Sequence, residues 1–191
     1  KMLELLFTLP LIGSIFILFT PRDNVIYIRN IALYSSLLTF FMSIILWVEF
    51  DYFISKFQFV NKISWFSLLN INFYIGIDGI SLLFILLTTF IFPLCILTSW
   101  KSIKENIKEY MIVFLIMESL LIIVFSILDL LLFYVFFESI LIPIFLIVGI
   151  WGSRRRRIRA SYMLFLYTLF GSVLMLLAIL VMYFQVGTTD Y

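Results

Sequence analysis

Apolar residues run through this chain in long blocks, and the polar breaks between them fall about one helix length apart. Leu3 to Phe19 is the first block, near the short limit for a membrane span, closed by Thr20-Pro21. Ile31 to Phe50 is the second. Residues 51–77 break the rhythm with charges, asparagines and local alternation such as Phe57-Gln58-Phe59, which predicts an ordered extramembrane connection containing short strands. Gly76-Ile77-Asp78-Gly79 opens the third span, Ile80 to Trp100, with Asp78 or Ser81 suited to cap its first turn. From Met111 to Gly152 the chain has 42 residues and three charges, Glu118, Asp129 and Glu138. One helix of that length would reach about 63 Å, twice a hydrocarbon core of ~30 Å. The block therefore predicts two helices, 111–128 and 130–151, folded back at a turn near Ser126 to Asp129. Residues 160–183 form the sixth span and 185–191 a polar end. The fold class expected is an all-α polytopic membrane protein of about six helices in a single membrane domain, 1–191.

Composition agrees with the pattern. At 64% hydrophobic, the sequence carries more apolar surface than a soluble domain of 191 residues can bury. The single cysteine, Cys95, and the absence of histidine remove a disulfide framework, a cysteine-ligated iron–sulfur cluster and histidine-ligated haem from what this chain builds alone. No cofactor and no redox centre are expected in the chain, and no nucleic-acid partner. The placement of charge says more than its sum. The connections after spans one, three and five hold Arg22, Arg29, Lys101, Lys104, Lys108, Arg154, Arg155, Arg156, Arg157 and Arg159, ten basic residues against Lys1, Lys56 and Lys62 on the other side. By the positive-inside rule both ends of the chain lie outside and the basic connections inside. The arginine cluster 154–159 is chiefly such a determinant; anionic lipid headgroups are its second reading.

Glu138 stands out chemically. It lies nine residues beyond Asp129, about 13.5 Å along a helix, which is near the bilayer midplane if Asp129 marks a membrane face. A carboxylate there costs roughly 2.5–3.5 kcal/mol on insertion scales, so it calls for a partner, a wet cavity or a proton. Pro143 has no N–H to offer the Ser139 carbonyl, which leaves a backbone acceptor next to the acid. Glu118 sits at a similar depth on the preceding helix and is the weaker candidate; a plain buried hydrogen bond explains it as well. Asp129 suits a turn and helix start. Ser161, Thr168 and Ser172, with Gly171 beside them, form a small-residue face for close helix packing.

Three segments carry a resemblance: residues 70–84 (NINFYIGIDGISLLF), 129–154 (DLLLFYVFFESILIPIFLIVGIWGSR) and 165–172 (FLYTLFGS). They are similar to the chain 4 family of mitochondrial NADH–ubiquinone oxidoreductase, complex I. That family belongs to the antiporter-like proton-translocating subunits, which include subunits of cation/proton antiporters. The resemblance implies the N-terminal part of an antiporter-like fold in the mitochondrial inner membrane, with both ends of the chain on the intermembrane-space side. It implies a role in proton translocation coupled to NADH:ubiquinone electron transfer, alongside other membrane-arm subunits that include a neighbouring antiporter-like one. The Phe-Glu-x-x-Leu-Ile-Pro pattern at 137–143 implies that Glu138 is the key acid of the proton pathway; Glu118 and Asp129 match no such motif. Full-length members are fourteen-helix proteins of two inverted repeats, with a seventh-helix lysine paired to that acid. The six spans here precede that lysine, so the chain is expected to be one piece of a longer or split subunit, completed by further polypeptide. Two other functions remain open at this level: a subunit of a cation/proton antiporter, and a purely structural membrane scaffold.

Overall fold

The computed structural model describes residues 2–21, 23–51, 53, 56–66, 71–100, 106–151 and 157–186. Its elements are α1 (Met2–Phe19), α2 (Val25–Glu49), β1 (Gln58–Phe66), β2 (Ile71–Ile77), α3 (Gly79–Thr98), α4 (Ile107–Ser126), α5 (Leu130–Trp151) and α6 (Arg157–Val186). α2 to α6 are each long and apolar enough to cross a membrane, and α1 is a shorter apolar helix. The chain is an all-α polytopic membrane protein with a two-stranded hairpin between α2 and α3.

α4 is the hub. It packs against α1, α2, α3 and α5, while α6 packs on the far side of α5. It is also the most buried of the five long helices. Small residues let the helices come close. A Cβ on Gly13 of α1 would run into the Ser35 side chain of α2, and one on Gly149 of α5 would lie 3.1 Å from Ser161 Oγ of α6. Ser161 and Ser172 are buried on the packed stripe of α6, whereas Gly171 faces open space. Phe145 of α5 sets its ring edge-on against Tyr162 and Phe165, fixing the α5–α6 pair.

The hairpin is antiparallel, and its second strand reaches the α4–α5 turn. The Leu128 N–H donates to the Tyr74 carbonyl at 2.7 Å, and Ile75 bridges Ile127. A buried turn would otherwise leave backbone polar groups without partners. Asp78 caps α3 as its side chain accepts from the Ser81 N–H at 2.9 Å. Asp129 caps α5 in the same way, accepting from the N–H groups of Leu131 (3.0 Å) and Leu132 (3.3 Å). At the other end of the bundle Lys108 Nζ donates to the Leu18 carbonyl in the last turn of α1, and Arg29 lies 5.8 Å from the Trp100 ring centroid. Arg154, Arg155 and Arg156 lie outside the described residues, as do Lys101 and Lys104. Arg157 begins α6, and Arg159 is exposed.

Two apolar clusters fill the ends of the bundle. One joins Leu3, Leu6, Leu46, Ile75, Ile77, Leu82, Ile85 and Ile122 beneath the hairpin. The other joins Ile17, Ile28, Ala32, Ile96, Met111, Phe114 and Leu115 at the opposite end. The buried residues between them are polar: Ser36, Thr39 and Ser43 of α2, Thr88 and Thr89 of α3, and Glu118 and Ser119 of α4.

Candidate functional site

α5 runs unbroken through Pro143, and Glu138 lies eight residues in from its first residue. That is about 12 Å of rise from the α4–α5 turn. Glu118 lies eight residues before the last residue of α4. The two acids therefore share a depth, as the spacing around Asp129 predicts. They do not share a face. A groove of about 280 Å³ separates part of α4 from α5, lined by Val113, Ile116 and Leu120 on one side and Ser139, Ile142 and Pro143 on the other. At 100° per residue, Glu118 sits about 140–160° around α4 from Val113, Ile116 and Leu120. It points away from the groove, into the α1–α2 side of the bundle.

Glu138 is half-buried, and its Oε1 is enclosed with no hydrogen-bond partner among the described residues. Tyr134, one turn earlier, lies within electrostatic reach of it, and no hydrogen bond joins the two. Phe145, two turns on, shares the Glu138 face and marks where α6 packs. Ile142, also near that face, is 57% exposed. Glu138 thus stands at the edge of the α5–α6 contact and borders surface that the described residues leave uncovered. Ser139 donates to the Val135 carbonyl at 2.8 Å, so its hydroxyl serves the helix rather than the acid.

Glu118 has no exposed surface, and neither carboxyl oxygen has a hydrogen-bond partner among the described residues. The Thr39 hydroxyl approaches it from α2 without reaching hydrogen-bond geometry. Its neighbour Ser119 crosses to α1, donating to the Phe7 carbonyl at 2.6 Å. The hydroxyls that accompany Glu118 escape a reading confined to charged residues. Their trace in the sequence is the spacing Ser36, Thr39, Ser43, one face of a helix inside an apolar run. Asp129 is fully buried and holds the turn through its cap; it does not join either acid. Among the described residues no group of three or more His, Cys, Asp or Glu side chains is placed to hold a metal ion.

The sequence matches two family models. Residues 2–129 match the amino terminus of NADH-ubiquinone oxidoreductase chain 4, and residues 127–191 match the membrane region described as NADH:quinone oxidoreductase/Mrp antiporter. Chain 4 of Arabidopsis thaliana is 57% identical over 181 residues, covering 95% of this chain and 37% of its own length. This chain thus spans little more than a third of such a relative. Among solved structures, respiratory complex I from Thermus thermophilus with bound NADH contains a chain that superposes with a TM-score of 0.84 at 27% identity, over 100% of this chain and 38% of that one. The Mrp complex from a Dietzia species matches at a TM-score of 0.78 and 14% identity, over 99% of this chain and 20% of that one, a likeness of fold alone. The chain belongs to the NADH-ubiquinone oxidoreductase chain 4 family and spans its amino-terminal part.

Proposed function

We propose that this chain forms the amino-terminal part of a proton-translocating membrane-arm subunit of NADH:ubiquinone oxidoreductase in the mitochondrial inner membrane, with Glu138 as its exchangeable acid. The observation that carries this reading is a carboxyl set about 12 Å into an apolar helix, with one oxygen enclosed and unpartnered among the described residues, next to surface that they leave uncovered. Such a group is costly to keep for packing alone, and ionisable groups within spans are functional by default. Electron transfer occurs on other subunits, and no cofactor belongs to this chain. The open flank of α5 and the exposed faces of α6 receive the remainder of the antiporter-like fold, and neighbouring membrane-arm subunits pack beyond it. The basic connections face the matrix and the hairpin faces the intermembrane space, following the ten-to-three charge asymmetry. Residues 154–159 meet anionic headgroups on the matrix side.

The antiporter alternative rests on a family model shared by both kinds of protein and on a likeness of fold, neither of which favours it over the chain 4 reading. Purification through an affinity tag on this chain separates the readings. A complex that oxidises NADH and reduces ubiquinone, and whose intact masses include the rest of the fold, is the expected result. A complex that exchanges cations for protons with no NADH oxidation would overturn it.

A further inference from the structure

The polar belt around Glu118 has no part in the role assigned to Glu138, yet it holds a fully enclosed acid. Glu118 has no exposed surface, and neither of its oxygens has a hydrogen-bond partner among the described residues. Among the described residues no basic side chain is seen to compensate it: Arg29 lies against Trp100 and Lys108 holds the end of α1, both away from the belt. Of the acids and phenols on helices packed against α4, Glu4 sits near the hairpin end of α1, Tyr27, Tyr34 and Glu49 of α2 are exposed, and Tyr134 and Glu138 lie on α5, across the hub.

In the arrangement present, the hydroxyl beside Glu118 is set to accept from it. Thr39 already donates its proton to the Ser35 carbonyl at 2.8 Å. Its oxygen can therefore accept from Glu118 and has no second proton to give. An ionised carboxylate has none to give either. While Thr39 donates to Ser35, only the neutral acid completes the contact, by turning its O–H onto Thr39 Oγ1; an ionised Glu118 would need Thr39 to release that carbonyl. Beyond Thr39 the belt continues. Ser43 is one turn along α2, and its Oγ lies 2.8 Å from Thr89 Oγ1. Pro93 in turn offers no N–H to the Thr89 carbonyl. Both ends of this belt are closed by the apolar clusters.

We propose that Glu118 and Thr39 form a second proton-binding site, separate from Glu138, whose proton is retained at rest and exchanges with solvent when the helices shift during turnover. Glu118 is the group that binds the proton and Thr39 is its positioning residue. The exchange part rests on the reading of this chain as a piece of a proton-translocating complex; the binding part does not.

The test is infrared difference spectroscopy on the assembled complex. Wild type minus Glu118→Gln should show the C=O stretch of a neutral carboxylic acid. Thr39→Val should move that band to higher frequency, and Thr39→Ser should leave it in place. In heavy water the band should stay unshifted in the resting enzyme and shift once NADH and quinone are supplied. Loss of carboxylate bands instead of the acid band, or a frequency indifferent to Thr39→Val, overturns the site. A deuterium shift at rest, or none during turnover, overturns the retention and exchange. If Glu118→Gln prevents assembly, the Thr39 pair still decides the first point. The resting spectra stand whatever Glu138→Gln does to pumping, so failure here and failure of the Glu138 role are read separately.

Discussion

Replacing Gly13 by alanine places one methyl where α1 crosses α2. The new Cβ would meet the Ser35 side chain, with Ser35 Cβ at 2.7 Å and Leu115 Cδ1 at 3.4 Å. Carbon atoms settle at about 3.5–4.0 Å, so the contact with Ser35 Cβ is roughly 1 Å short. A Cβ is fixed to its backbone and cannot rotate aside, so α1 and α2 must separate. Overpacking of this kind costs about 1–3 kcal/mol. Alanine recovers ~1 kcal/mol of helix propensity, and the overlap with Ser35 Cβ puts the cost at the upper end of that range, which leaves a net loss of up to about 2 kcal/mol. Gly149→Ala is the graded comparison. Its nearest obstacle is Ser161 Oγ at 3.1 Å, a side-chain end that can turn, so the two effects should nearly cancel. The readout is the thermal midpoint at which the detergent-solubilised complex loses its monodisperse form. Gly13→Ala should lower it clearly and Gly149→Ala barely. On a Ser35→Gly background Gly13→Ala should add little further loss, whereas on Ser35→Ala it should still do harm because the Cβ remains. Gly13→Ala as stable as wild type, or equal rescue by both Ser35 variants, would refute the close approach.

Two further outcomes follow from the same geometry. Asp129→Ala removes both cap hydrogen bonds of α5 and should destabilise the α4–α5 turn by about 0.5–2 kcal/mol, while Asp129→Asn keeps most of the cap; protease sensitivity of the turn in purified complex measures both. Cysteines at the exposed positions Asp23 and Phe53, treated in mitoplasts with an impermeant thiol reagent, should label only at 53; labelling at 23 alone would invert the topology.

Much of this architecture can be read from the sequence, because each signal has one physical cause. Asp78 ahead of an apolar run caps α3, and the charge-poor block divides at Asp129 because no single helix of that length fits a bilayer. Residues 51–77 carry the strands that their alternation suggests. Helix starts differ where polar residues interrupt hydrophobicity without interrupting structure. α2 begins at Val25, six residues ahead of the apolar block, because Ile28 is fully buried and Arg29 stacks near Trp100. α4 begins at Ile107 because Lys108 reaches the end of α1. Spacing along the chain also gives the depth of Glu118 and Glu138. It does not give their direction around each helix, which depends on what α4 and α5 pack against. The hydroxyls of α2 are harder still to see. Each donates to a carbonyl on the preceding turn of its own helix, so in sequence they read as ordinary helix residues. Only the approach of α3 and α4 turns them into a shared polar belt.

The role of Glu138 is the claim on which the functional account turns, and one substitution reaches it directly. Glu138→Gln keeps the size and most of the hydrogen-bonding capacity of the side chain while removing its titratable proton. The complex carrying it, assembled to the wild-type level and reconstituted in vesicles, is measured for NADH-driven acidification of the lumen together with NADH oxidation. Pumping is expected to fall strongly and coupled NADH oxidation to fall with it, with Glu138→Asp retaining more of both. A fully assembled Glu138→Gln complex that pumps at the wild-type rate would contradict the account.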